Sequence, residues 1–89
     1  MTNLGMQELA WVYILRCADG TLYTGWTSNL PRRMSTHQAG KASKYTRARL
    51  PVTLVYKESF LQRTLAMKRE YEIKQLPKQG KEQLINGCD

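Results

Sequence analysis

The chain has 89 residues, 42% of them hydrophobic, and its fourteen Lys and Arg stand against seven Asp and Glu for a net charge of +7. That size suits one domain (1–89, core about 8–85) with a single core, and no stretch is long and apolar enough to cross a bilayer. The positive field favours a polyanionic partner, nucleic acid first. Met1–Ala10 has neither the basic lead nor the apolar run of a secretory signal, so a cytoplasmic location is expected. Cys17 and Cys88 lack metal-type spacing and are expected as reduced thiols.

Two strands open the chain, Trp11–Arg16 and Leu22–Thr27. The turn between them decides which side chains share a face. A two-residue Asp19-Gly20 turn would set Tyr13 against Trp26 and send Tyr13 and Tyr23 to opposite sides. A three-residue loop, with Ala18 and Asp19 in a type I turn and Gly20 left-handed in a G1 bulge, sets Tyr13 against Gly25 and Leu15 against Tyr23. The second register is predicted. It puts Val12, Ile14, Leu22 and Trp26 on an apolar core side and Tyr13, Thr21, Tyr23 and Thr27 on a polar one. Gly25 would leave room for the Tyr13 ring to lie close to the neighbouring backbone.

Asn29 as N-cap and Pro31 in the first turn predict a helix over Leu30–Gln38, stopping near Gly40. Arg33 and His37 are one turn apart on it and can converge on one spot. Lys41–Arg49 reads as an ordered basic surface loop, and Pro51–Glu58 as a third strand. A long helix is predicted over Leu61–Leu76. Leu61, Leu65, Ala66, Ile73 and Leu76 form its buried arc, Phe60, Met67 and Tyr71 a narrower one, and Glu70 lies at the edge of the first. Pro77 ends it, and Lys81–Ile85 adds a last turn or two before a frayed tail.

Hydrolysis of a phosphodiester needs an activated water, a cation at the scissile phosphate and relief of charge on the departing oxygen. Glu70 could hold a divalent cation through one carboxylate, as suits magnesium; at i,i+4 it could equally pair with Lys74. Tyr23, a phenol of ordinary pKa about 10, could act as general base if a cation and an arginine stand near, or could simply pack across strands. Tyr13 could orient water or phosphate, with the same alternative. Arg33 has the planar fork that suits a phosphate, and His37 beside it could relay or accept a proton; each could also be an incidental helix residue. Lys41, Lys44, Tyr45, Arg47 and Arg49 could track a phosphate backbone with Tyr45 stacking on a base, or form a solvated charged loop.

Taken in order, Trp11-Val12-Tyr13, Tyr23-Thr24-Gly25, Arg33 with His37, and Glu70 within 66–74 resemble the GIY-YIG nuclease domain. Within that superfamily the chain is similar to the small single-domain bacterial YhbQ-like proteins, from about Glu8 to Ile85. The resemblance implies an α/β (α+β) fold, a three-stranded antiparallel sheet flanked by helices. It implies a metal-dependent endonuclease acting on DNA, structured or damaged DNA included, with DNA favoured over RNA. Tyr13 and Tyr23 would then stand near the attacking water, Arg33 at the phosphate, His37 beside them and Glu70 on Mg2+ or Mn2+. Trp11 departs from the pattern where a glycine is usual, and Asn86 does not match the asparagine that often follows the metal glutamate. No recognition domain accompanies the site, so either a protein partner supplies targeting or the domain reads substrate shape weakly by itself. A non-catalytic nucleic-acid-binding module of the same fold is the main alternative, and a structural or interaction protein a third.

Overall fold

Asp19 shapes the hairpin. In the computed structural model, which describes residues 9–87, its carboxylate accepts hydrogen bonds from the Thr21 amide (3.0 Å) and hydroxyl (2.6 Å). Gly20 takes φ +86° and donates its N–H to the Cys17 carbonyl at 2.9 Å, while the Cys17 amide donates to the Thr21 carbonyl at 2.8 Å. This is the bulged three-residue turn that the sequence predicts. It joins β1 (Ala10–Arg16) to β2 (Leu22–Thr27) with Tyr13 opposite Gly25 and Leu15 opposite Tyr23, so both tyrosines share a face.

β3 (Thr53–Phe60) pairs antiparallel with the other side of β1, giving the sheet order β2-β1-β3 and leaving β2 at an edge. The strand lies two residues later than the sequence suggested, because Phe60 still pairs with Ala10 and packs on the core. A register shift beside Ile14 and Leu15 turns Leu54 to one face of the sheet and Tyr56 to the other.

Both faces of the sheet are covered. On one, Ala10, Val12 and Ile14 pack against Ala66 and Ile73 of α3 (Arg63–Lys74), with Leu22, Trp26 and Phe60 at the margin. On the other, Tyr13, Leu15 and Cys17 join Leu30 of α1 (Leu30–Gln38) and Val52, with Met34 and Leu54 against them. The expectation of a single core side is therefore corrected. Leu15 and Cys17 share the parity of Tyr13, and α1 lays enough apolar surface over them to make a second core. Cys17 is a buried free thiol.

α1 starts as predicted, with the Asn29 side chain accepting from the Arg32 amide at 3.1 Å, and ends before a left-handed Gly40. The segment expected as a loop holds a one-turn helix, α2 (Lys44–Arg47), capped by Ser43, whose hydroxyl accepts from the Thr46 amide at 3.1 Å. α3 is shorter than the predicted helix and buries less. Ala66 and Ile73, two turns apart, are its buried residues, whereas Leu61, Leu65, Met67 and Tyr71 are exposed. A sheet this narrow contacts only one line of side chains along the helix.

α4 (Lys78–Ile85) begins directly after Pro77, earlier than expected. Arg16 grips its Glu82 with two parallel hydrogen bonds of 2.8 Å, tying α4 to the sheet. The readings made of Met1–Glu8 and of Cys88 and Asp89 lie outside the described residues.

Candidate active site

Tyr13 is the centre of the site and is wholly buried, at 0% exposure. Its ring lies over Gly25 so closely that a Cβ added there would sit 2.6 Å from the phenol oxygen and 2.8 Å from Cζ. Only a glycine opposite Tyr13 leaves that path open. The phenol oxygen is 2.9 Å from His37 Nε2, and His37 Nδ1 is 2.9 Å from Thr46 Oγ1. Thr46 in turn touches the Ser43 hydroxyl at 3.1 Å. His37 and Thr46 are also at 0% exposure, so a buried polar chain runs from β1 through α1 to α2.

Burial sets the protonation of this chain. It pushes the Tyr13 phenol up to about 12, helped by the neighbouring Tyr23 and only partly offset by Arg33; the Glu70 carboxylate adds to the rise. Burial likewise lowers the His37 pKa from its ordinary value, and the positive charge of Arg33 adds to this. At neutral pH the pair is a protonated phenol and a neutral imidazole. His37, expected to relay or accept a proton beside Arg33, has both ring nitrogens engaged, one with Tyr13 and one with Thr46.

Tyr23 is half-buried, its ring centroid 6.5 Å from that of Tyr13, 5.3 Å from His37 and 6.2 Å from Tyr45. Arg33, one helical turn before His37, is half-buried and acts electrostatically on both Tyr13 and His37. It also lines a cleft of about 350 Å³ with Thr27, Asn29, Arg32, Thr36 and Lys41, a basic hollow at the far end of β2. Glu70 sits on α3, across the sheet from the tyrosines, yet its charge reaches Tyr13. Its carboxylate is 3.3 Å from Lys74 Nζ, the helix ion pair anticipated as the alternative role.

The basic segment divides in two. Lys41, Lys44 and Arg47 are exposed, and Tyr45 is partly so. Arg49 is tied to its neighbours: it pairs with Asp19 at 3.1 Å, donates to the Tyr45 carbonyl at 2.9 Å, and lies 3.8 Å from the Tyr45 ring centroid. Arg49, offered with them as a phosphate contact, thus has partners within the chain at the surface. Thr46 and Ser43 were missed in the sequence, although their i,i+3 spacing is that of a cap.

The model of the GIY-YIG catalytic domain matches residues 9–83. The chain belongs to the GIY-YIG family. Among its relatives, a UPF0213 protein of Staphylococcus haemolyticus is 52% identical over 84% of this chain and 92% of that protein. One from the archaeon Halobacterium salinarum is 53% identical over 83% of this chain and 96% of that protein. Two solution structures are similar as well. The UPF0213 protein BH0048 of Bacillus halodurans aligns with a TM-score of 0.58 at 46% identity, over 88% of this chain and 83% of that one. The protein EF2693 of E. faecalis aligns at 0.62 and 35% identity, over 98% and 90%.

Family members generally use a divalent metal, and the donors of this GIY-YIG domain define what would fit. Among the described residues no three His, Cys, Asp or Glu side chains gather into a cluster. Glu70, with a side chain 21% exposed and a cation already at its carboxylate, fits a metal that takes one protein oxygen and fills its other positions with water and phosphate.

Proposed function

We propose that this GIY-YIG domain is a metal-dependent endonuclease hydrolysing phosphodiester bonds, in DNA by preference. One observation carries the reading: two phenols, a guanidinium and a carboxylate lie close enough that Tyr23, Arg33 and Glu70 all act electrostatically on Tyr13, whose ring lies over Gly25 beside the edge strand. A packing motif has no need of that combination.

The roles follow from protonation and burial. Tyr13 keeps its proton far above neutral pH, so it donates hydrogen bonds and orients water or a phosphate oxygen; it is not the base. Tyr23, half-open beside it, is assigned to accept the proton of the attacking water. Arg33, bordering the basic cleft, takes the non-bridging phosphate oxygens and stabilises the charge that builds on them. Glu70 would hold Mg2+ or Mn2+, which when bound supplies Lewis-acid stabilisation of the phosphate and departing oxygen. His37 is a positioning residue, fixed by Thr46 and fixing Tyr13. Lys41, Lys44 and Arg47 would follow the backbone without reading sequence, which leaves targeting to a partner protein in the cytoplasm.

The Glu70–Lys74 pair favours a second reading, a binding module in which Glu70 is merely structural. Cleavage of labelled single-stranded, duplex, flapped and branched DNA and RNA with Mg2+ or Mn2+ separates the two. Metal-dependent cutting that disappears in Glu70→Ala, with binding retained, is expected. Cutting by Glu70→Ala at the wild-type rate, or binding with no cutting anywhere in the panel, refutes the assignment.

A further inference from the structure

A helix of one turn is not stable by itself, so it cannot fix the side chains it carries. Tyr45 lies on such a helix, is 37% exposed and belongs to neither core, yet both faces of its ring are covered. One faces Tyr23, stacked at a centroid distance of 6.2 Å with 25° between the planes. Over the other lies the Arg49 guanidinium, 3.8 Å from the centroid, which also donates to the Tyr45 carbonyl at 2.9 Å.

Arg49 is itself fastened twice to the hairpin turn. Its Nε donates to Asp19 Oδ2 at 3.1 Å, and its carbonyl accepts from the Ala18 amide at 2.9 Å. The other Asp19 oxygen accepts from the amide and hydroxyl of Thr21, two residues before Tyr23. The contacts therefore close on themselves, from the turn to Arg49, to Tyr45, to Tyr23 and back along β2 to the turn. Stability does not explain the arrangement. The Arg49 and Asp19 side chains are 34% and 47% exposed, and an ion pair so open to water adds little to folding.

We propose that Asp19, Arg49 and Tyr45 are positioning residues for Tyr23, a brace that fixes its ring from the solvent side while the buried His37 meets it edge-on at 5.3 Å and 66°. The inference rests on the nuclease reading, in which Tyr23 accepts the proton of the attacking water, and adds three residues that touch neither water nor phosphate. A base held through its own oxygen would have that oxygen occupied when the proton arrives, so support through the ring suits the task. Placement at a reacting atom matters steeply, because a displacement of about 1 Å can slow a reaction about 100-fold.

The test follows one set of variants through cleavage of the DNA and RNA panel, binding in chelator, melting, and the NOEs between the Tyr23 and Tyr45 rings. Tyr45→Leu should lower kcat about 10–100-fold and leave KM and binding within about threefold, whereas Tyr45→Phe, which keeps the ring, cuts at the wild-type rate. Arg49→Gln should lower kcat about tenfold and weaken the ring NOEs, while melting moves by no more than about 5 °C. Adding Asp19→Asn to Arg49→Gln should bring no further loss, because both act on one brace. In the Tyr23→Phe background the base is already gone, so Tyr45→Leu should lower the rate no further. An equal Tyr45→Leu loss in both backgrounds, a loss that Tyr45→Phe shares, or a loss lying in KM alone would overturn the brace and leave the nuclease standing. Binding with no cutting overturns the nuclease reading instead. The NOEs then decide the brace by themselves: weakened in Arg49→Gln they uphold it, and unchanged they overturn it.

Discussion

Replacing Gly25 by alanine is the sharpest perturbation of this site, because it adds one methyl group and changes nothing else. The new Cβ would stand 2.6 Å from the Tyr13 oxygen, 2.8 Å from Cζ and 3.2 Å from Cε2. To reach ordinary contact the phenol must retreat by about 0.8 Å, in a core that has no slack to absorb it. The retreat strains the Tyr13–His37 hydrogen bond, which is 2.9 Å long and wholly buried. Overpacking of this kind costs about 1–3 kcal/mol, and impairing a buried hydrogen bond adds about 1 more, so the expected loss is about 2–4 kcal/mol. For a domain of this size that lowers the melting temperature by about 8–32 °C. Urea and thermal unfolding of Gly25→Ala measure it directly. Repeating the change in Tyr13→Phe, where no hydroxyl is present to displace, should reveal a coupling of about 1 kcal/mol between the two positions. A Gly25→Ala protein that melts within two or three degrees of wild type, on a scale where about 1 kcal/mol is worth 4–8 °C, would refute the close approach and the architecture built upon it.

Two further outcomes follow from the buried chain. Thr46→Val keeps the shape but leaves His37 Nδ1 without its partner, so unfolding in urea should show a loss of about 1–3 kcal/mol with no change in net charge. His37 is held neutral by burial, so its folded pKa lies below the unfolded value of 6.5. The stability it contributes is therefore complete above about pH 6.5 and is lost as pH falls below that value toward the folded pKa, with a slope of at most about 1.4 kcal/mol per pH unit. A pH series of urea midpoints should show that slope in wild type and lack it in His37→Gln; equal slopes in the two would contradict it.

The hairpin was legible because its register depends on local chemistry alone: Asp19 and Gly20 demand one turn, and the turn dictates every facing pair after it. The same holds for α1, whose cap and proline lie within its own first turn. What local patterns could not carry was occupancy of the second face. The burial of Tyr13 and His37 depends on α1 folding over the sheet and on Thr46 arriving from α2, a contact between residues nine apart that no periodicity announces. The long helix was overread for a related reason. Five apolar positions on one arc imply a broad contact, but Leu61 falls before the helix begins, and a three-stranded sheet offers only a narrow contact, so Leu65 remains in solvent. Arg49 looked like its basic neighbours until Asp19, thirty residues away, came within 3.1 Å.

Tyr13 and His37 lie at the middle of a core, so under the proposed nuclease reading selection for folding and selection for chemistry act on them together. A descendant that had abandoned catalysis would still be held to both residues, since losing either opens a cavity or strands a buried polar group. Their presence in a relative therefore carries little news about whether that relative cuts anything. Positions with no such duty are better witnesses. Glu70 is ion-paired with an exposed lysine, and Arg33 and Tyr23 are half-open to solvent. Drift should erase those three first in a lineage where the reaction no longer matters.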